Sequence, residues 1–166
     1  MSPDRLAIEP LTAAAFATFG EVVEAGAGAE LVNAGTARQY ADLAAIDVAA
    51  EDGRPRVSLY RSERRDWPVA IRMLERHPLG TQLFMPLSGD PFVVVVAPPG
   101  AVPVRGAVRG FLTNGRQGVN YRRGTWHHPL IALAAAREFL VLDRGGPGAN
   151  CEEYFFADGG FELARP

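Results

Sequence analysis

Residues 91–97, PFVVVVA, decide the architecture. Four consecutive valines are stiff at χ1 and crowd a helix, whereas a pleated strand accommodates them. The run is apolar at odd and even positions alike, so it reads as a strand buried on both faces, at the centre of the core. Outward from it, short apolar segments recur at 57–61, 70–75, 83–87, 110–112 and 132–143, several of them separated by Gly or Pro turns. This spacing suits a sandwich or barrel, and 18 glycines with 13 prolines in 166 residues favour a turn-rich chain over a helical bundle. The one helix expected is short and Ala-rich, capped by Thr12 and ended by Gly20. Neither an internal repeat nor a low-complexity linker divides the chain, so residues 1–166 read as one domain with a sizeable core.

Composition removes several function classes. All 17 basic residues are arginine; without lysine, neither Schiff-base chemistry nor a P-loop is available. The near-neutral balance, formally −2, supplies no basic field for a phosphate backbone, so nucleic acid is not an expected partner. Residues 1–10 lack the apolar run of a signal peptide, and no apolar stretch approaches the ~20 residues of a membrane-spanning helix. A cytoplasmic address without membrane contact is expected. Cys151 is the single cysteine, with no helix start or cationic cluster beside it to activate the thiol.

The chain has three histidines, in two places: His77 in LERHPLGTQ and His127-His128 in GTWHHPL. On a strand, Glu75 and His77 share a face, because side chains alternate with period two. Gln82 lies beyond the Pro78-Leu79-Gly80 turn and can join them from an adjoining strand, with His127 approaching from the second segment. One carboxylate, two imidazoles and one amide admit three readings. Each histidine can be a hydrogen-bonded structural residue. The group can hold Fe(II), Ni(II), Mn(II) or Zn(II) with positions left open for substrate. It can also perform acid–base catalysis without metal, Glu75 orienting a histidine and His127 moving protons near neutral pH. Nearby, Asn114, Tyr121 and Arg122 are candidates for substrate contacts, Arg122 or Arg123 through a bidentate grip on a carboxylate. Trp126 reads as a core or rim residue. Asp143-Arg144-Gly145-Gly146 reads as a strand end that turns sharply, with a structural ion pair, and residues 33–42 carry turn chemistry of no evident purpose.

The pattern Glu75-x-His77, Gln82 and Gly89, followed by Gly124-x-x-His127, resembles the two cupin motifs. In those, HxH, a Glu and a final His bind metal inside a small double-stranded β-barrel. Here Glu75 stands for the first His, Gln82 for the Glu and Arg122 for the usual Pro. Within that superfamily LERHPLGTQ (74–82), PFVVVVA (91–97), FLTNGRQGVNYRRGTWHHPL (111–130) and FLVLDRGG (139–146) resemble the ureidoglycolate lyase family. The resemblance runs from about residue 58 to 153 and extends weakly to 33–43. It implies a mainly β, cupin-type jelly-roll barrel, a cytoplasmic homodimer, and cleavage of (S)-ureidoglycolate to glyoxylate and urea late in allantoin degradation. An exposed strand edge on a small barrel also suits a dimer.

That substrate is a carbinolamine, whose collapse needs removal of the hydroxyl proton and protonation of the departing nitrogen, and no nucleophile. The implied roles are His127 as base and His77, or a water held by Glu75, as donor, with Arg122 on the carboxylate. A divalent cation, if used, would sit on Glu75, His77, Gln82 and His127. Two other readings remain at this point: a metal-dependent cupin oxygenase or decarboxylase for a small hydroxy or oxo acid, and a non-catalytic cupin that binds a small carboxylate.

Overall fold

The Phe92–Ala97 strand is buried along its whole length, as its composition requires. In the computed structural model, which describes residues 4–166, it lies inside a seven-stranded sheet. Arg109–Leu112 pairs with it on one side, and the short strands Trp126–His127 and Ile131–Ala132 on the other, all antiparallel. Met73–Arg76 and then Glu152–Phe155 extend the sheet beyond His127, and Ile8–Pro10 forms the opposite edge in parallel with Arg109–Leu112.

A second, antiparallel sheet runs in the order Gly20–Val23, Gly118–Tyr121, Gln82–Pro86, Glu138–Gly145, Arg54–Arg61. A third joins Asp4–Arg5, Phe161–Leu163 and Val69–Ile71. The central strand explains the layering. Phe92, Val94 and Val96 pack with Phe84, Val119, Tyr121, Phe139 and Val141 of the five-stranded sheet. Val93, Val95 and Ala97 pack on the other side with Ile71, Phe161 and Leu163 of the three-stranded sheet. Both faces are therefore covered, and removing either layer would expose three apolar side chains of one strand. The result is a mainly β, cupin-type fold, whose sheets do not close into one continuous barrel among the described residues.

The N-terminal helix is a single turn, Ala13–Phe16, with Thr12 Oγ1 accepting from Ala15 N at 3.2 Å. Phe16 anchors it in the core, fully buried against Phe111 and Phe19. Gly20 already belongs to the next strand, where a Cβ would lie 1.8 Å from the Asn120 carbonyl oxygen. Three segment expectations change. Residues 70–75 are two strands in different sheets, Val69–Ile71 and Met73–Arg76. Residues 132–143 contain the end of Ile131–Ala132 and most of Glu138–Gly145. The strand at 57–61 extends over Arg54–Arg61 at a sheet edge, with Val57 and Leu59 exposed instead of buried. Residues 33–42 include the tip of a small hairpin, Glu30–Val32 with Ala37–Gln39 around the turn Asn33–Gly35. Among the described residues no helix is long and apolar enough to cross a membrane.

Candidate active site

Two registered strand pairs face each other across a small cavity. In the seven-stranded sheet His127 lies directly opposite Glu75, and in the five-stranded sheet Tyr121 lies directly opposite Gln82. Strand alternation orients all four. Leu74 and Trp126, the neighbours of Glu75 and His127, go to the core behind the sheet, so Glu75 and His127 point forward. Gln82 thus arrives from the opposing sheet, whereas the sequence placed it on an adjoining strand. His77 lies just past the end of Met73–Arg76 yet shares the Glu75 side, its ring centroid 5.1 Å from that of His127. Tyr121 stacks on His127 at 4.2 Å and 12°.

Both imidazoles are held by the same device. His127 Nδ1 lies 3.0 Å from the Thr125 carbonyl oxygen and His77 Nδ1 lies 2.6 Å from that of Asn150. A carbonyl only accepts, so each Nδ1 carries the proton and donates it, leaving a bare Nε2 lone pair on the far side. Those two Nε2 atoms are buried without a hydrogen-bond partner, as is Gln82 Oε1. Glu75 Oε1 lies 3.5 Å from His127 Nε2 and 4.0 Å from His77 Nε2. Ligand atoms of Glu75, His77 and His127 all fall within 4.8 Å of one another. Donor spacing near 3–4 Å is what metal bonds of about 2.0–2.2 Å produce, and outer carbonyls that fix the ring tautomer are usual behind ligating histidines. The orphaned atoms therefore fit a divalent cation.

Burial and neighbouring charges set the protonation states. Burial lowers the His77 pKa, helped by His127, and outweighs the opposing effects of the Asn150 carbonyl, Glu75 and Gln82. His77 is thus neutral at pH 7. Burial alone would raise Glu75, but in acid, where the imidazoles are protonated, a hydrogen bond from His127 and the charges of His127, His77 and His128 bring it below the usual range. Burial pushes the Tyr121 phenol up, with Glu75 adding to the shift, so it stays protonated. His128 also lines the cavity, and burial takes its pKa down to about 4.

Not every sequence candidate reaches the cavity. Arg122 is on the outer side of the chain and donates to the Ala17 carbonyl at 3.2 Å. Arg123 donates through Nε and Nη2 to the Pro78 carbonyl and so braces the turn that carries His77. Asn114 folds back on its own loop, its Oδ1 accepting from Arg116 N and Gln117 N. Trp126 is in the core, its indole N–H on the Gly100 carbonyl. The ion pair expected within Asp143-Arg144 is absent. Asp143 instead takes Arg56 in a two-pronged contact at 2.9 Å, and Arg144 donates to the carbonyls of Ala50, Glu51 and Pro147. Cys151 is exposed, and burial, Glu75, Glu153 and Glu152 raise its pKa, which leaves the thiol a poor nucleophile.

Three contributors were missed. Tyr60 lines the cavity from an edge strand whose inward face is every second residue. His128 lines it too, next to His127 in the same motif. Asn150, 73 residues from His77, carried no local signal at all.

A family model described as ureidoglycolate lyase matches residues 3–163. A ureidoglycolate lyase of Pseudomonas aeruginosa strain LESB58 is 54% identical over 154 residues, covering 92% of this chain and 91% of its own. One from Azotobacter vinelandii is also 54% identical, with 92% and 93% covered. One from Pseudomonas putida is 47% identical over 162 residues, with 97% of each chain covered. Match over nearly the whole length, together with a cavity built from the motif residues, places this chain in the ureidoglycolate lyase family.

Proposed function

We propose that the protein cleaves (S)-ureidoglycolate to glyoxylate and urea, within the cytoplasm and as part of allantoin catabolism, with residues 1–166 acting as one domain. The observation that carries this reading is a small cavity lined by Glu75, the bare Nε2 of His127 and the unsatisfied Gln82 amide oxygen, with the bare Nε2 of His77 beside Glu75, in a chain of this family. The reaction moves one proton from oxygen to nitrogen. His127 Nε2 takes the hydroxyl proton as the carbon–oxygen double bond forms and the carbon–nitrogen bond breaks. Glu75, 3.5 Å away, stabilises the resulting imidazolium. The proton then returns to the departing ureido nitrogen, directly or through a water held by Glu75 and His77, and urea leaves neutral. Tyr121, stacked on His127, fixes the plane of the base.

The same atoms support a second reading. Glu75, His77 and His127, with Gln82 Oε1 as a fourth donor, would hold Ni(II), Mn(II) or Zn(II). Such a cation supplies Lewis acidity that lowers the hydroxyl pKa. Recognition of the substrate carboxylate falls to the outer vestibule, where Tyr60, Pro129 and Leu130 continue outward beside Arg61, Arg64 and Arg65. Arg122 and Asn114 lie outside both cavities described for substrate. A homodimer is supported by the outer face of the five-stranded sheet. Val57, Leu59, Leu140, Leu142, Leu83 and Met85 form one apolar surface there, in register across three strands. Light scattering at twice 17.8 kDa checks it.

The deciding experiment gives EDTA-treated protein (S)-ureidoglycolate and follows glyoxylate, urea and ammonia together, before and after each metal is restored. Glyoxylate with equimolar urea is the expected result. Ammonia in place of urea, or no turnover under any metal, overturns the proposal. Full activity after EDTA favours the histidine-only route, and activity only after restoration favours the cation.

A further inference from the structure

The Gln82 amide takes its orientation from outside the cavity. Its Nε2 donates to Asp143 Oδ2 at 3.5 Å, and that same carboxylate is gripped by Arg56, with Nε on Oδ1 and Nη2 on Oδ2, both at 2.9 Å. Asp143 is buried and Gln82 is 5% exposed. Turning the amide over would set Oε1 against a carboxylate oxygen, two acceptors with no proton between them. The Arg56–Asp143 pair therefore keeps the amide N–H₂ turned away from the cavity and the carbonyl oxygen turned in. Gln82 Oε1 is buried there without a partner. A buried acceptor left unmet is costly unless a ligand meets it.

The Glu75 carboxylate and the bare Nε2 of His127 in the same cavity, and the bare Nε2 of His77 beside Glu75, are acceptors too. A ureido acid differs from a simple hydroxy or oxo acid of equal charge by its N–H donors. We propose that Asp143, clamped by Arg56, is a positioning residue that turns Gln82 Oε1 inward to accept a hydrogen bond from the ureido N–H of the substrate. By this contact the site selects ureido acids over hydroxy or oxo acids that lack the donor. The inference rests on the lyase reading for its substrate and concerns a pair of residues, Asp143 and Arg56, outside the reacting group.

Two stable probes test it by calorimetry: N-carbamoylglycine, a ureido acid without the reacting hydroxyl, and glycolate, a hydroxy acid without the ureido group. In Asp143→Asn the new amide can meet Gln82 in either orientation, so the bias is lost. Asp143→Asn and Gln82→Met are each expected to weaken N-carbamoylglycine about tenfold while glycolate changes less than about twofold, and the double variant should be no worse than either single one. Arg56, half exposed, can be replaced without a buried gap, and Arg56→Gln should shift the same ratio in the same direction by about threefold. Equal weakening of both probes would mean that Gln82 acts on the shared part of the ligand or on a cation, and would overturn the proposal. So would an unchanged ratio in Gln82→Met and Arg56→Gln. Turnover of (S)-ureidoglycolate by the unaltered protein is measured alongside: its absence defeats the lyase reading, whereas the probe ratio alone decides the role of Asp143.

Discussion

His127 and His77 present the same atom to the same carboxylate, that of Glu75, but the chain holds them by different means. His127 is on a strand, 2% exposed, paired with Val96 on one side and Glu75 on the other, and its Nδ1 is met by a carbonyl two residues away. His77 is past a strand end, on a turn braced by Arg123, Gly124 and Asn150 from elsewhere in the chain. Sheet register alone positions the first. The second depends on contacts that close loops of 45 to 73 residues. A base that must meet one proton needs the stiffer mounting, and a turn-mounted partner can adjust to substrate.

Removing each imidazole tests that division most severely. His127→Ala is expected to lower kcat by at least about 10³-fold and His77→Ala by about 10²-fold, with KM changing less than about threefold in both. Steady-state kinetics with circular dichroism as a fold control measures this. Equal losses would make the two rings a single metal-binding unit, and the difference in mounting would then have no catalytic meaning. Near-normal turnover in His127→Ala would remove it as the base altogether.

The same contrast explains what could be read from sequence. The 93–96 valine run told its own burial because four β-branched residues leave one comfortable conformation, and both faces are indeed covered. Glu75, His77, Gln82 and His127 were legible as a group from their motif spacing, but the sheet that carries Gln82 was not: that residue comes from the opposing sheet and not from an adjoining strand. Arg122 was not, since alternation puts Tyr121 inside and Arg122 outside, and the parity of a strand with mixed neighbours is set only by its pairing partner. Asp143 was paired in sequence with Arg144, its neighbour, though adjacent strand residues point to opposite faces. Its real partner is Arg56, 87 residues away and directly across the strand pair. Asn150 left no trace because a side chain on a loop, accepting from Leu79 N, obeys no period.

A smaller effect sharpens the comparison at the level of support. Asn150 Oδ1 accepts from Leu79 N at 2.7 Å and fixes the turn beside His77. Thr125 Oγ1 donates to the Phe19 carbonyl at 2.7 Å behind His127; a backbone oxygen, which no substitution deletes, meets the imidazole in both cases, so what differs is whether the side chain holds a turn or a strand. Asn150→Ala should therefore cost about tenfold in kcat/KM and less than about 1 kcal/mol of stability. Thr125→Val should do the reverse, costing about 1–2 kcal/mol with kcat/KM nearly intact. Urea unfolding and kinetics on the two variants decide it, and a Thr125→Val enzyme as impaired as Asn150→Ala would show that strand mounting confers no protection.

The third histidine gives the mildest effect, one on stability. His128 has its Nδ1 on the Pro129 carbonyl at 2.8 Å, and burial holds its pKa at about 4, against 6.5 when unfolded. Between those values the unfolded chain takes up a proton that the folded one refuses, so stability from this residue is complete above pH 6.5 and drains away as pH falls towards 4. The whole shift corresponds to about 3 kcal/mol, most of it gone by about pH 4.5. His77, also lowered, adds in the same direction, while Glu75, lowered from 4.5, contributes only further into acid. Replacing His128 with Asn removes its share, so urea unfolding at pH 7 and 4.5 should show a clearly smaller acid loss in His128→Asn than in the parent. An identical loss in both would assign the acid sensitivity to His77, and so to the turn-mounted half of the site.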